Sequence, residues 1–463
     1  MPDELREFCG AGTVDAAGMR VIEENAMALG LSSLQMMESA GRALAEVVRG
    51  YRPENVLILC GKGNNGGDGM VAARYLQHDG EVHVVYPGPE GKTPETAAQL
   101  QLLSHSAVHL HPVRCTSDVL ALRRLFEVAD VIVDAILGTG GSGSLREPLA
   151  ACADLANEAA VPVVAADVPT PGIRATRIVA FHRPKQDAAE AVDIGIPLEA
   201  ECFTGPGDLT LVPGRASSAH KGAGGEVLVV GGGPYQGAPY LAALGALRGG
   251  ADLVRVASTA SIPMPDLIYE PLAGTHLAEE HLETILRLVD RADVVVCGMG
   301  LGTESHAVVQ AIAENARRAV FDADALRHPL PVARETISTP HAGEFARMTG
   351  HVLPDDLAAR ARSVRSAARD GTILLKSPVD IISDGTRVRF NRTGTPAMTV
   401  GGTGDVLAGL AGALFCHLPA FEAAAVAAYG NGRAGMRAAG GRGNGMAATD
   451  LVEYIPAEVF GRR

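Results

Sequence analysis

Apolar residues follow two rhythms along this chain. Leu34, Met37, Gly41, Leu44 and Val48 recur at helical spacing and predict an amphipathic helix over 33–49. Beyond it, short runs rich in β-branched residues at 56–59, 82–86, 131–136 and 161–165 read as strands. Stretches of helical character, over 69–78 and 117–128 for example, separate them. Strands alternating with helices imply a parallel sheet covered on both faces. Over 211–225 the chain turns small, polar and turn-forming, so the domain boundary is expected there, dividing 1–213 from 214–463. The rhythm then restarts, with strands predicted at 227–230, 253–256, 294–297, 319–321 and 373–376 and an alanine-rich helix over 423–439. The expected fold class is α/β in two domains, the first a Rossmann-like αβα sandwich.

Composition agrees and narrows the function. The chain has 463 residues, of which 47% are apolar, enough for more than one core. Its net charge of −13 argues against a nucleic-acid partner or an anionic membrane surface. Anionic small molecules must then be held by local loops and dipoles. The seven cysteines are scattered, with no Cys-x-x-Cys pair, which predicts reduced thiols. No apolar run is long enough to span a bilayer, and the start lacks the pattern of a signal peptide. The expectation is a soluble, cytoplasmic protein.

Two glycine-rich segments carry candidate chemistry. Gly401-Gly402-Thr403-Gly404-Asp405 leads into a helical stretch. Glycines let backbone N–H groups close on an anion, and a helix N-terminus adds partial positive charge. Phosphates would repel Asp405, so it suits the role of a base that takes a proton from a substrate hydroxyl. Upstream, strand 56–60 runs into Gly61-Lys62-Gly63-Asn64-Asn65-Gly66-Gly67-Asp68-Gly69, read as a loop before a helix over 70–77. The spacing is not the Gly-x-Gly-x-x-Gly of dinucleotide-binding folds. Asp134 and Asp167 also stand at the ends of apolar strands, Asp134 ahead of a second glycine-rich run. Taken singly, each of these aspartates reads better as a cap or a turn. Asp68, Asp134 and Asp167 together point to one cleft beyond the strand ends.

The segment Cys60 to Gly69, with Ala73-Arg74-Tyr75-Leu76, Met37-Glu38-Ser39-Ala40-Gly41 and Asp193-Ile194-Gly195-Ile196-Pro197, resembles the NAD(P)H-hydrate epimerase domain. That family interconverts the C6 epimers of hydrated NADH or NADPH and binds potassium. The resemblance implies that Asn64, Asn65, Gly66, Gly67 and Asp68 bind the hydrated cofactor. Gly138, Thr139, Gly140, Gly141, Ser142, Gly143 and Ser144 would do the same. Asn65, Asp134 and Thr170 would hold potassium, and Asp167 would bind substrate and act as acid or base near C6. The chain departs from the family's Asp-Ile-Pro-Ser-Gly at Asp167-Val168-Pro169-Thr170-Pro171 and is shortened after it. A ligand-binding scaffold without catalysis is the alternative for this half.

In the second half, Gly298-Met299-Gly300-Leu301-Gly302, Phe321-Asp322-Ala323-Asp324, Thr339-Pro340-His341-Ala342-Gly343-Glu344 and a strand-end Lys376 precede the Gly401 loop. Thr339-Pro340 reads as a helix cap and first residue, which places His341 in the first turn. An isolated histidine there reads better as a surface residue, and an isolated strand-end lysine reads about equally well as one. The set, over about 221–456, resembles the NAD(P)H-hydrate dehydratase of the ribokinase-like superfamily, which implies a ribokinase-like αβα domain. It implies substrate contacts at Ala238, Gly300, His341 and Asp405. Nucleotide contacts would come from Lys376, Ser377, Pro378, Val379, Asp380, Gly402, Thr403 and Gly404. ADP or ATP would donate a phosphoryl group, with magnesium as companion of the phosphates. Lys376-Ser377-Pro378 stands where the family has Lys-Gly. The rival reading is a kinase for a sugar or vitamin alcohol, since that superfamily shares the loop and the base. A homo-oligomer is expected from the family's habit.

Overall fold

The computed structural model describes residues 3–10, 12–88, 93–140, 145–215, 220 and 222–461. Contacts group the chain into two units, Gly10–Ala200 and Met1–Cys9 with Glu201–Arg463.

The first unit opens with α1 (Ala16–Ala28) and α2 (Ser33–Arg49). Then follow β1 (Asn55–Cys60), α3 (Asn64–Leu76), β2 (Glu81–Pro87), α4 (Pro94–Leu103), β3 (His109–Val113), α5 (Thr116–Ala121) and α6 (Arg123–Val128). The unit closes with β4 (Val131–Ala135), α7 (Leu149–Glu158), β5 (Val163–Ala166), β6 (Arg177–Phe181) and β7 (Glu190–Val192). The predicted single helix over 117–128 is the pair α5 and α6. The seven strands run in the order β3-β2-β1-β4-β5-β6-β7, all parallel. Alternate residues of β1 face opposite layers. Val56, Ile58 and Cys60 join one core, Leu57 and Leu59 the other. Helix α2 begins where the rhythm places it because Ser32 and Gln35 form a reciprocal cap. Its Leu34 is 44% exposed, so the buried stripe is Met37, Gly41, Leu44 and Val48.

The glycine segment corrects the sequence reading. Residues 64–69 form the opening turns of α3 rather than a loop. Their glycines serve close packing. A Cβ at Gly69 would lie 2.6 Å from that of Ala135, and one at Gly67 would lie 2.5 Å from the methyl of Met37. Gly41 of α2 is pressed equally tightly against Val71 and the Asp68 carbonyl. Glycine here costs helix propensity of about 1 kcal/mol per position. What it allows is a helix start set directly against the strand ends.

Helix α8 (Leu198–Cys202) carries the chain into the second unit. The segment 201–213 groups with this unit because Asp208 accepts from both Arg389 nitrogens at 2.6 and 3.0 Å, and Thr204 bonds Asn391 at 2.8 Å. Next come β8 (Glu226–Gly231), α9 (Ala238–Arg248), β9 (Leu253–Ser258), β10 (Ile268–Pro271), α10 (Leu282–Val289), β11 (Val294–Cys297), α11 (His306–Asn315), β12 (Arg318–Phe321) and β13 (Glu335–Ser338). The rest is α12 (Ala342–Thr349), α13 (Leu357–Ala367), β14 (Thr372–Leu375), β15 (Asp380–Ser383), β16 (Val388–Asn391), α14 (Thr403–Phe415), α15 (Ala420–Arg442) and α16 (Ala448–Phe460). The nine-stranded sheet runs β10-β9-β8-β11-β12-β13-β14-β15-β16, parallel until the antiparallel pairs at β15 and β16. Cys9 and Cys202, expected as free thiols, are disulfide partners within this unit, with Cα atoms 5.6 Å apart. Cys60, Cys152 and Cys297 are buried free thiols, pushed upward in pKa by burial.

Candidate active sites

In each sheet the strand order reverses once beside the first strand of the unit, between β1 and β4 and between β8 and β11. Ligands in open α/β sheets bind beyond the strand ends at such points. The first candidate site lies at such a point; the second draws its charged groups from the ends of β12 and β14.

Beyond β1 and β4 opens a cavity of about 1420 Å³. Asn64, Asn65, Asp68, Gly138, Thr139, Gly140 and Asp167 line it. Gly66 and Gly67 sit behind that wall as packing positions, Gly66 against the Gly61 backbone. Gly141, Ser142, Gly143 and Ser144 lie outside the described residues. Helix α3 has glycine at its cap and no side-chain cap bond, so its first N–H groups remain available to an anion.

Asp134 is fully buried at the end of β4. Its carboxylate accepts from the Thr170 backbone N–H and the Thr170 hydroxyl, both at 2.7 Å, and from the Ile136 N–H at 3.2 Å. Burial raises its pKa, and these bonds pull the other way. Asn65 is buried, and its two side-chain amide atoms have no partner among the described residues. A buried amide without partners costs roughly 1–3 kcal/mol unless something binds it. The Asn65 carbonyl oxygen, the Asp134 carboxylate and the Thr170 oxygens are hard donors, the chemistry that suits a hard cation. The Thr170 hydroxyl donates to Asp134 and accepts from the Leu137 N–H at 3.0 Å, and its carbonyl accepts from the Ile173 N–H at 2.9 Å.

Asp167 follows β5 with φ +65°, a left-handed backbone uncommon for a non-glycine residue. Lys185 holds it, with Nζ 2.5 Å from Oδ1, both side chains nearly buried. Lys185 Nζ also donates to the Phe181 carbonyl at 2.8 Å, and the Phe181 N–H donates to Asp167. Glu23 of α1 lines the same cavity. Burial, then Asp167, then Glu23, push the Asp68 carboxyl well above its ordinary range. Glu23 is likewise raised, first by burial. Sequence reasoning did not single out Glu23 or Lys185 as site residues. Both come from segments remote in sequence and carry no motif of their own.

The second site gathers at the start of α14. Gly402 caps it at φ +98°, a conformation that favours glycine, and leaves no side-chain cap. The first N–H groups of the helix therefore point outward unpaired. Asp405 stands in that first turn, partly exposed. Thr403 turns inward, its hydroxyl donating to the Met398 carbonyl at 2.7 Å. Lys376, just beyond β14, places Nζ 2.7 Å from Asp322 Oδ1 and 3.7 Å from Glu344 Oε2. The same ammonium lies 3.3 Å from where a Gly404 Cβ would be. Burial alone would lower the Lys376 pKa, but Asp322 and then Glu344 outweigh it and raise it. Burial, then Asp322, push Asp405 up to about 7, with Lys376 opposing.

His341 is the cap of α12 and not a first-turn residue. Thr339-Pro340 therefore precede the helix. His341 Nδ1 accepts from the Gly343 and Glu344 N–H groups at 3.0 and 3.2 Å, and Glu344 returns a bond to the His341 N–H. The ring stays 59% exposed and can meet a ligand. Ala238 opens α9, and Gly300 (φ +73°) abuts the Tyr235 carbonyl so closely that no side chain fits. Asp380 is committed to the fold, accepting from the Ser377 N–H and from Asn391, each at 2.9 Å. Ser377 bonds the Val379 carbonyl and Pro378 lies between them, closing a tight turn beside Lys376. Asp322 and Glu344 were quoted in sequence motifs without a role. What they share, the Lys376 ammonium, comes from a remote strand end and leaves no local signal.

Residues 227–457 match the family described as NAD(P)H-hydrate dehydratase, and residues 33–186 the family described as YjeF-related protein N-terminus. The bifunctional NAD(P)H-hydrate repair enzyme of Methanospirillum hungatei is 52% identical over 99% of this chain and 96% of its own. That of Archaeoglobus fulgidus is 38% identical, over 96% and 98%. Among solved structures, the ADP/ATP-dependent NAD(P)H-hydrate dehydratase of Bacillus subtilis aligns with TM-score 0.48 and 26% identity, over 55% of this chain and 96% of that one. With both halves matched and relatives aligned end to end, the chain belongs to the family of bifunctional NAD(P)H-hydrate repair enzymes.

Proposed function

We propose that the second unit dehydrates hydrated NADH or NADPH at the expense of ADP or ATP, and that the first interconverts the R and S epimers at C6. One observation carries the dehydratase reading. Asp405, a carboxyl with a pKa near neutrality, stands in the uncapped first turn of α14 beside the Lys376 ammonium. Hydroxide is a poor leaving group. Asp405 takes the proton from the C6 hydroxyl, whose oxygen attacks the terminal phosphate. The N–H groups of the first turn and Lys376 stabilise charge on the transferred group. The C6–O bond then breaks with help from the N1 lone pair, phosphate leaves, and loss of a C5 proton to solvent forms the C5=C6 bond of the dihydronicotinamide. Ala238, Gly300 and the open edge of His341 would face the hydrated cofactor. Lys376, the Ser377-Pro378-Val379 turn closed by Asp380, and Gly402, Thr403 and Gly404 would meet the nucleotide. Magnesium would travel with the phosphates, with Asp322 and Glu344 the carboxylates at hand.

The test is an epimer mixture of hydrated NADH incubated with each nucleotide. Recovery of dihydronicotinamide absorbance from both epimers supports both activities. Recovery from one epimer removes the epimerase, and a stable phosphorylated product in place of recovery favours the rival kinase. The base also sets a pH dependence. A carboxyl raised to about 7 must lose its proton to act, so kcat/KM for dehydration is expected to fall as pH drops through about 7. A rate flat down to pH 5 contradicts the assignment.

For the first unit, Asn64, Asn65, Asp68, Asp167 and the 138–140 turn would bind the hydrated cofactor. Potassium would sit on Asn65, Asp134 and Thr170, ordering the 138–140 turn and countering the buried Asp134 charge. Exchanging potassium for choline at equal ionic strength is expected to slow epimerisation roughly 10-fold or more, with addition of KCl restoring it. Equal rates in both salts would remove the ion from this site.

A further inference from the structure

The lining of the first cavity carries five carboxyls and five cations among the described residues, but the charges that act on Asp68 are Asp167, Glu23 and the single ammonium of Lys185. Asp68 from α3, Asp167 from the end of β5 and Glu23 from α1 share it with Lys185, while Arg20 and Glu24 of α1 stand on its lining beside Glu23. Lys185 is committed by geometry to Asp167 at 2.5 Å. No donor bonds the Asp68 side chain among the described residues, and it is 9% exposed. Neighbouring carboxyls that share one counter-charge do not all ionise together, and a carboxyl left without the partner is the readier to hold a proton. The wall therefore offers an unpaired carboxyl on one element and an ion-paired one on another.

The substrate's chemistry needs such a pair. C6 of the hydrated dihydronicotinamide bears a hydroxyl and is bonded to the ring nitrogen. Its configuration inverts if water departs from one face and returns to the other, without breaking any C–H bond. Resting on the epimerase reading above, we propose that Asp68 is the general acid and Asp167 the general base of epimerisation, with Lys185 as the residue that positions Asp167 and fixes this division of labour. Asp68 gives its proton to the C6 hydroxyl, the C6–O bond breaks, and water leaves as the N1 lone pair forms a C6=N1 iminium. A second water adds to C6 from the opposite face, its electron pair forming the new C–O bond. The C6=N1 π electrons return to nitrogen, and the released proton goes to Asp167. One water leaves and one enters, and exchange with solvent resets both carboxyls. No oxidant, reductant or nucleotide is needed. The left-handed backbone at Asp167, pinned by its N–H bond to the Val179 carbonyl at 2.8 Å, is the kind of held conformation that accumulates at working sites.

The experiment runs the full chain with each purified epimer in ¹⁸O-water, reading epimer ratio and label at C6 against an enzyme-free control. Incorporation of one solvent oxygen per inversion is expected. Asp68→Asn should lower kcat for epimerisation by about 10²-fold or more with KM changed only a few-fold. Dehydration of the S epimer by the same sample should stay at its normal rate, and thermal unfolding of the full chain should match wild type, showing that both units are folded. Lys185→Met should shift the pH profile of epimerisation, which mere loss of packing would not do. Inversion with the original oxygen retained points to ring opening and overturns the proposal, as does an Asp68→Asn rate equal to wild type. Should Asp68→Asn not fold, the label on the wild-type enzyme decides alone. A wild-type chain that interconverts no epimers instead sinks the epimerase reading itself, a separate result.

Discussion

Asp405→Asn is expected to lower nucleotide-dependent dehydration by about 10²–10⁴-fold, the range for removing a positioned general base. The replacement has the same shape and sits in the same first turn of α14, so the ring of backbone N–H donors and the Lys376 ammonium stay where they are. Nucleotide affinity should therefore change little, and the loss should appear in kcat. Stability should not suffer. Asp405 is raised by burial and by Asp322, with Glu344 adding to the same repulsion, so an uncharged amide relieves strain between like charges. Epimerisation, carried by the other unit, continues and serves as the internal control. The residual dehydration should also lose its dependence on pH near 7, because the group that titrates there is gone. A variant that dehydrates at the wild-type rate removes Asp405 from the mechanism.

The parts of this architecture legible in sequence were those written by periodicity. Strands β1, β8 and β11 and helices α2 and α15 stand within a few residues of where apolar spacing puts them. Peripheral strands such as β3, with its His109-Leu110-His111-Pro112-Val113 mixture, carry too few apolar residues to announce themselves. The glycine segment 64–69 misled for a physical reason. Glycine signals a loop when only backbone freedom is counted, yet here it lets α3 lie against Gly41 and Ala135 where any Cβ would collide. The sites divide in the same way. Asp134, Asp167 and Asp405 were visible because strand ends and helix starts are local features. Their partners were not. Lys185, Glu23, Asp322 and Glu344 acquire meaning only when the sheet order brings remote segments together.

Lys376→Met tests the charge balance that joins these partners. In the native unit one ammonium serves Asp322 at 2.7 Å, Glu344 at 3.7 Å and, through space, Asp405. Asp322 and Glu344 are 2% and 8% exposed, so water cannot replace the lysine. Stranding buried carboxylates costs about 3–5 kcal/mol, and the second unit should lose stability on that scale. The sign with pH follows. Asp405, already raised, rises further without the cation, and a folded-state pKa above the unfolded value means that proton uptake favours the folded state. The deficit should be largest at alkaline pH and shrink on acidification. Asp405, already near 7 with Lys376 as its lowering influence, should titrate higher still, moving the acid limb of dehydration upward. Nucleotide binding should weaken as well, because the charge beside Gly404 that meets the phosphates is lost. Lys376→Arg keeps the charge but not the compact ammonium. It should recover most of the stability and less of the turnover, since a planar guanidinium presents its charge to Asp322 and the Gly404 turn in a different geometry from a compact ammonium. An unmoved pH limb with wild-type nucleotide affinity in Lys376→Met would show that Asp322, Glu344 and Asp405 do not share this counter-charge. Asp405 would then owe its raised pKa to burial alone.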